Sequence, residues 1–253
     1  MRAFSIALFA GVLTAIPLAA TAMPTQDGVD CMAPEAPPQA TVERTTFQSR
    51  GREIQGLLYK PARPNGAAIV LLHDREGIQE DLARYEAQLG RLASCGYTVI
   101  APSYYDAAGP RSRNDPLLGQ KWDQVVDEAI VKVGSVNGVD PARVGVWGHG
   151  RGGNLALNNA MEGTAARAVV AVAAGGRVER SRESPPILLI AGDHSLVAPI
   201  YTSEELARTL RQLGLDVTVE SVPSSAREFE PEAWDAVFAR TRAFFDTRLA
   251  PAG

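Results

Sequence analysis

The chain has 253 residues, of which 45% are hydrophobic and 21% are charged, and its formal net charge at pH 7 is −4. A chain of this length suits one large domain with a substantial core. The slightly acidic balance provides no basic face, which argues against a nucleic-acid-binding protein.

Residues 1–22 predict a secretory signal peptide. Arg2 precedes an apolar run over residues 4–18, and the small-residue segment Ala20–Ala22 follows it. A basic residue, a short apolar core and a small-x-small site are typical of such a peptide. Since the apolar run is shorter than the ~20 residues that a helix needs to cross a bilayer, a transmembrane anchor is the less favoured alternative. We expect a periplasmic or secreted mature chain that begins at Met23 and has no membrane attachment.

Residues 23–40 are rich in Pro, Ala and Gln, which predicts a flexible tail before a single domain over residues 41–249. Cys31 in this tail and Cys95 are the only cysteines. In an oxidising compartment they could form a disulfide that tethers the tail. Alternatively, Cys95 is a buried free thiol just before a glycine at a helix end, and the sequence leaves both possibilities open.

The domain alternates between short apolar runs, which are typical of buried strands, and segments with helical spacing of apolar residues. Strands are predicted at residues 41–47, 53–59, 66–73, 97–102, 144–147, 168–173, 187–190 and 217–222. Helices are predicted at residues 80–94, 122–133, 201–213 and 232–249, with another after the glycine-rich turn that follows residue 147. This alternation predicts an α/β fold with a mostly parallel sheet, helices on both of its faces and two antiparallel strands leading into it.

The turn after residue 147 reads Gly-His-Gly-Arg-Gly-Gly over residues 148–153. A strand, a Gly-x-x-x-Gly turn and a helix form the frame of a nucleophile elbow, with Gly150 at its centre. No Lys-Ser or Lys-Thr pair follows, which excludes a phosphate-binding P-loop. The glycine spacing also differs from the dinucleotide-binding fingerprint, so the elbow is the favoured interpretation.

The chain resembles the dienelactone hydrolase family of the α/β-hydrolase superfamily over residues 41–249. The segments that carry the resemblance are 72–77, 96–102, the turn at 148–152 and 191–199. The resemblance implies an α/β-hydrolase fold with a mostly parallel central sheet and helices on both faces. It also implies a catalytic triad whose nucleophile lies at the elbow.

Carried over from that family, the triad positions are Gly150 for the nucleophile, Ser195 for the acid and Arg227 for the base. Glycine has no side chain to attack with, serine lacks a full negative charge, and arginine stays protonated. No Ser, Cys, Thr or Asp occurs between residues 145 and 157, and no histidine follows His194. The resemblance therefore predicts a degenerate triad with no catalytic residue of the usual kind.

Two alternatives concern the acid and the base. Asp193 could serve as the acid in place of Ser195, and His194 is the first candidate for a substitute base. His73 and His149 are interpreted as structural. No two histidines have the spacing of a metal pair, so we expect no metal and no cofactor.

The anion-binding part of the elbow is expected to persist. The backbone N–H of Arg151 at a helix N-terminus would point into the pocket, and a second N–H would come from the loop with Asp74 and Arg75. Arg227 would add positive charge if it faces the same cavity, or would otherwise pair with a neighbouring glutamate on the surface. Together with His149, these residues are the predicted binding residues for a small anionic molecule.

Two functions remain open from the sequence. The first is a non-catalytic binding or scaffold protein, with a small anionic molecule or a protein as its partner. The second is a weak carboxylic-ester or lactone hydrolase that uses Ser103, Ser195 or an activated water molecule.

Overall fold

An eight-stranded sheet organises the part of the chain that the computed structural model describes, namely residue 31 and residues 40–108, 118–175, 184–193, 200–224 and 229–251. Within these ranges no helix is both long and apolar enough to cross a membrane. The predicted signal peptide and most of the predicted tail lie outside the described residues.

The strands are β1 Ala40–Ser49, β2 Arg52–Pro61, β3 Ala68–Leu72, β4 Thr98–Pro102, β5 Val144–His149, β6 Ala168–Val172, β7 Ile187–Gly192 and β8 Val217–Val222. The helices are α1 Ile78–Ser94, α2 Leu118–Gly134, α3 Arg151–Glu162, α4 Ile200–Gln212 and α5 Pro231–Arg248, with a short 3-10 helix at Tyr104–Ala107. The strand order is β1-β2-β4-β3-β5-β6-β7-β8. Strands β1, β2 and β4 pair antiparallel, and the other neighbouring pairs are parallel. The predicted α/β architecture is confirmed, whereas the 3-10 helix was not predicted.

Both faces of the sheet are buried, as strand β3 illustrates. Ala68, Val70 and Leu72 pack on one face, with apolar residues of α2, α3 and α4. Ile69 and Leu71 pack on the other face, with apolar residues of α1 and α5. A strand buried on both sides requires a continuous apolar sequence, which is why this segment has no polar alternation.

Cys31 and Cys95 form a disulfide across a sequence separation of 64 residues. Cys95 directly follows the last residue of α1. The structure therefore favours the disulfide over the buried free thiol that the sequence left as an alternative.

The carboxyl ends of β3, β4 and β5 lie side by side at one edge of the sheet. Leu72, the last residue of β3, pairs with Gly148 near the end of β5. The loop after β3 is thereby placed directly beside the turn between β5 and α3. In parallel α/β sheets, ligands bind at this edge.

Candidate functional site

The turn between β5 and α3 has the backbone geometry of a nucleophile elbow. Gly150 lies between the last residue of β5 and the first residue of α3, with φ 53° and ψ −112°. Its N–H donates to the carbonyl oxygen of Val172, and its own carbonyl oxygen accepts from the N–H of Asn154. A residue with a side chain would be strained at this φ, whereas glycine adopts it readily.

The flanking glycines allow the strand and the helix to approach closely. A Cβ on Gly148 would lie 2.7 Å from the backbone nitrogen of Gly153. A Cβ on Gly152 would lie 2.5 Å from the carbonyl oxygen of His73. Cβ atoms in proteins essentially never approach another heavy atom to less than 3.0 Å. These two positions therefore require glycine.

The side chain of Asp74 occupies the centre of the elbow. A Cβ on Gly150 would lie 2.7 Å from Oδ2 of Asp74 and closer still to its Cγ and Oδ1. The backbone N–H of Arg151 donates a 2.6 Å hydrogen bond to Oδ1 of Asp74. The expectation that this N–H remains available to an anion in the pocket is therefore corrected, because the carboxylate of Asp74 already accepts its hydrogen bond.

The loop that carries Asp74 is fixed by two aromatic residues and a histidine. Nδ1 of His73 donates to the carbonyl oxygen of Asp74 at 2.7 Å. The hydroxyl of Tyr104 donates to the carbonyl oxygen of His73 at 2.8 Å, and the two rings stack with centroids 4.1 Å apart. The hydroxyl of Tyr105 lies 3.1 Å from the carbonyl oxygen of Arg75. These bonds hold the loop against the elbow and give His73 the structural hydrogen bond that was expected.

His73 and Asp81 approach each other without forming an ion pair at neutral pH. Nδ1 of His73 lies 3.9 Å from Oδ2 of Asp81, and both side chains are almost fully buried. Burial lowers the pKa of His73 to about 4 and raises the pKa of Asp81 to about 6. At pH 7 the imidazole is neutral and the carboxylate is charged. Arg84 lies 3.5 Å from that carboxylate, and Gly77 donates its N–H to it.

His149, which the sequence offered both as a structural residue and as a binding residue, packs among aromatic side chains. Its ring centroid lies 4.9 Å from that of Trp234, 6.1 Å from that of Phe229 and 6.5 Å from that of Tyr85. Burial lowers its pKa to about 4, although the nearby charge of Asp74 opposes this shift. His149 is therefore a neutral residue beneath the elbow at physiological pH.

The side chain of Arg151 lies over the aromatic residues beside the elbow. Its Nη1 donates to the hydroxyl of Tyr105 at 2.9 Å. Its guanidinium carbon lies 5.8 Å from the ring centroid of Tyr105 and 5.9 Å from that of Trp122. Such cation–π contacts orient the guanidinium. Arg151 and Arg75 are both exposed, so two positive charges lie at this edge.

Ser103, the alternative nucleophile, forms a hydrogen bond with a carboxylate. Its hydroxyl donates to Oδ1 of Asp106 at 3.0 Å, and Oδ2 of Asp106 accepts from the backbone N–H of Gln55. Of the two histidines that the structure describes, neither forms a hydrogen bond with Ser103.

The predicted acid and base positions, Ser195 and Arg227, lie outside the described residues, as does His194. Within the described ranges, no group of three or more His, Cys, Asp or Glu side chains could hold a metal ion. Sequence reasoning missed the side chain of Asp74 at the elbow and the contribution of Tyr104 and Tyr105. The sequence contains no local signal for these contacts, because they join three separate loops.

A family model described as the dienelactone hydrolase family matches residues 54–237, from within β2 to within α5. The chain belongs to the dienelactone hydrolase family. No curated protein matches the sequence.

Three solved structures similar to this family member support its fold. A Klebsiella pneumoniae protein assigned as a dienelactone hydrolase is 21% identical, with 81% of this chain and 98% of that chain covered and a TM-score of 0.65. A dienelactone hydrolase-like promiscuous phosphotriesterase from metagenomic libraries is 15% identical, with coverages of 83% and 99% and a TM-score of 0.67. An esterase is 15% identical, with coverages of 85% and 85% and a TM-score of 0.66. The predicted α/β-hydrolase fold is confirmed.

Proposed function

We propose that this chain is an exported dienelactone hydrolase-family protein that binds a ligand or a partner without hydrolysing it. The observation that carries this proposal is Gly150 at the centre of the elbow, where the family's mechanism needs a nucleophilic side chain. The carboxylate of Asp74, hydrogen-bonded to Arg151 beside it, supports the same conclusion. An oxyanion that formed at this N–H would have to displace that carboxylate first.

The chemistry of the other two triad positions also supports a non-catalytic protein. Ser195 and Arg227 are the residues that the family resemblance assigns to the acid and base positions. An arginine side chain does not act as a general base, because its guanidinium stays protonated at physiological pH. Members of a triad act as a unit, so loss of the nucleophile removes most of the benefit of keeping the other two.

We propose two classes of partner for the protein. The exposed side chains of Arg75 and Arg151 at the carboxyl edge of the sheet favour a small anionic molecule. A protein partner is the other class, because a fold freed from catalysis can use the same loops as a binding surface. Because the carboxylate of Asp74 occupies the N–H of Arg151, an anionic ligand would bind near the side chains of Arg75 and Arg151 instead of at that N–H.

Residual ester or lactone hydrolysis is the less favoured function. Ser103 donates its hydroxyl proton to a carboxylate instead of to an imidazole. A serine nucleophile usually requires an adjacent base that is itself oriented by a third group. The described contacts of Ser103 do not supply such an arrangement.

Export is part of the proposal. The disulfide between Cys31 and Cys95 supports it, since disulfides persist in the periplasm and outside the cell and are rare in the cytosol. The predicted signal peptide points to the same compartments.

A fluorophosphonate probe tests the absence of an activated nucleophile. We expect the purified mature protein to remain unlabelled and to hydrolyse p-nitrophenyl acetate no faster than a Ser103→Ala variant. The residual rate should stay below the roughly 10³–10⁴ over water that binding and free oxyanion donors can supply, because the carboxylate of Asp74 already accepts the hydrogen bond of Arg151. Labelling, or a saturable rate that Ser103→Ala abolishes, would show that the protein is a hydrolase.

A further inference from the structure

The most informative contact at the elbow joins residues 77 positions apart in the chain. Asp74 lies in the loop after β3, yet its Oδ1 accepts a 2.6 Å hydrogen bond from the N–H of Arg151. In an elbow with a nucleophile, this N–H is the one that stabilises a developing oxyanion. Here an anionic group of the chain itself accepts the hydrogen bond.

The same carboxylate fills the volume that a side chain at position 150 would need. A Cβ placed there would overlap all three carboxyl atoms of Asp74, with the longest of the three distances only 2.7 Å. Asp74 in this position and a side chain at residue 150 are therefore mutually exclusive. The absence of a side chain at Gly150 is what allows the carboxylate to reach the helix N-terminus.

We propose that Asp74 is an internal carboxylate ligand of the elbow, and that small carboxylates bind at the N–H of Arg151 once the side chain of Asp74 is removed. The positive end of α3 and the backbone N–H favour an anion at this point. The inference rests on the proposed function, because it takes the elbow to be a non-catalytic site. Its tests measure occupancy and packing, not hydrolysis, so the two proposals can fail separately.

Several features support a maintained contact. The loop carbonyls of His73 and Asp74 both accept side-chain hydrogen bonds, at 2.8 Å and 2.7 Å. The side chains that donate them, Tyr104 and His73, are almost fully buried. These bonds fix the main chain from which the side chain of Asp74 extends, and the hydrogen bond from the N–H of Arg151 holds the carboxylate itself. We therefore expect the internal ligand to remain in place in the wild-type protein.

A double-mutant cycle tests the mutual exclusion. Gly150→Ala is introduced into the wild-type protein and into Asp74→Ala, and the melting temperatures are compared. In the Asp74→Ala background the overlap is gone. The decrease in Tm caused by Gly150→Ala should therefore be smaller than in wild type by about 2–4 °C, which corresponds to about 1 kcal/mol for a chain of this size. Gly51→Ala is the matched control, since Gly51 also has a positive φ, +74°, but no atom within 4 Å of its added Cβ.

Gly51→Ala should lower the Tm by the same amount in both backgrounds, because no described contact links Gly51 to the elbow. An equal loss from Gly150→Ala in both backgrounds would overturn the proposal. The proposal would also be overturned if the loss of Tm from Gly51→Ala differed between the two backgrounds by as much as the loss from Gly150→Ala does.

A second measurement does not require any substitution at the strained turn. Sodium acetate is titrated into ¹⁵N-labelled wild type, Asp74→Ala and Asp74→Asn, and the amide signal of Arg151 is followed. We expect a saturable shift in Asp74→Ala and none in wild type. Asp74→Asn keeps an oxygen acceptor on a side chain of the same length, so its response should be weaker than that of Asp74→Ala.

Three results of the titration would contradict the internal-ligand assignment. The first is a wild-type response equal to that of Asp74→Ala. The second is the absence of a response in Asp74→Ala. The third is an equal response in Asp74→Ala and Asp74→Asn, which would mean that the oxygen of the side chain does not compete with acetate.

Discussion

The carboxylate of Asp74 occupies the space that a Cβ at position 150 would need, so Asp74 and Gly150 are sterically coupled at the centre of the elbow. The N–H of the next residue, Arg151, completes the arrangement by donating to the same carboxylate. Any attempt to restore chemistry at residue 150 must therefore also take residue 74 into account.

Gly150→Ser alone should lower stability and produce no hydrolase. Serine at φ 53° costs on the order of 1–3 kcal/mol in backbone strain, and its Cβ would also overlap the carboxylate of Asp74. Urea unfolding should show a larger loss for Gly150→Ser than for Gly51→Ser, where φ is +74° and no atom lies within 4 Å. Equal losses at the two glycines would contradict the overlap. A rate of p-nitrophenyl acetate hydrolysis above the wild-type value would contradict the need for a base.

Restoring a triad should require four substitutions. Gly150→Ser supplies a nucleophile, Arg227→His a base and Ser195→Asp an orienting carboxylate, at the positions that the family resemblance assigns. Adding Asp74→Ala should vacate the N–H of Arg151 for a developing oxyanion. We expect an acyl-enzyme burst with p-nitrophenyl acetate from the fourfold variant and a smaller burst, or none, from the threefold variant that retains Asp74. A larger burst from the threefold variant would mean that Asp74 assists the reaction.

His149 should contribute to acid sensitivity. Its pKa in the folded protein is lowered by burial to about 4, below the ordinary value of 6.5. As pH falls from about 6.5 to about 4, the unfolded chain takes up this proton before the folded one, so stability is lost over that window. Each tenfold change in the ionisation constant corresponds to about 1.4 kcal/mol, which sets an upper limit of roughly 3 kcal/mol.

His149→Phe removes this titration and keeps an aromatic ring beside Trp234. Its unfolding free energy should fall less than that of wild type between pH 6.5 and pH 4.5. The raised pKa of Asp81 acts in the opposite direction, since that group favours the folded state at low pH, but it is present in both proteins and cancels in the comparison. Parallel pH profiles would exclude a contribution from His149.

The disulfide should stabilise the domain by restricting the unfolded chain. The sequence separation of Cys31 and Cys95 is 64 residues, and loop-closure entropy for a loop of this length corresponds to a stabilisation of about 4 kcal/mol. The double variant Cys31→Ser, Cys95→Ser should lose that amount in urea unfolding. Wild type kept reduced with dithiothreitol should match the double variant. Iodoacetamide should label the denatured wild-type protein only after reduction, and labelling without reductant would show that the bridge is absent.

The exported protein should begin at Met23. The prediction depends on the small-residue site Ala20–Ala22. Amino-terminal sequencing of the protein from the extracytoplasmic fraction checks it, with the cytosolic precursor as the control. An intact Met1 in the exported fraction would contradict cleavage at this site.

Much of the fold could be predicted from the sequence because its signals are local. The apolar run that forms β3, for example, is continuous because both faces of that strand are buried. The glycines at 148 and 152 likewise identified the elbow, since a Cβ at either position would overlap backbone atoms. The 3-10 helix at Tyr104–Ala107 was missed, because four residues provide too short a periodic pattern to recognise.

The sequence by itself determined that this is a mostly parallel α/β protein with glycine where the family resemblance places a nucleophile. Only the tertiary structure decided what fills the resulting space. Asp74 and Arg151 are separated by 77 positions and meet because β3 and β5 are neighbours in the sheet, which brings their following loops together. A sequence pattern reports the period of each element. The pairing of strands that are distant in the chain depends on how all the elements pack, and that pairing placed a carboxylate at the elbow.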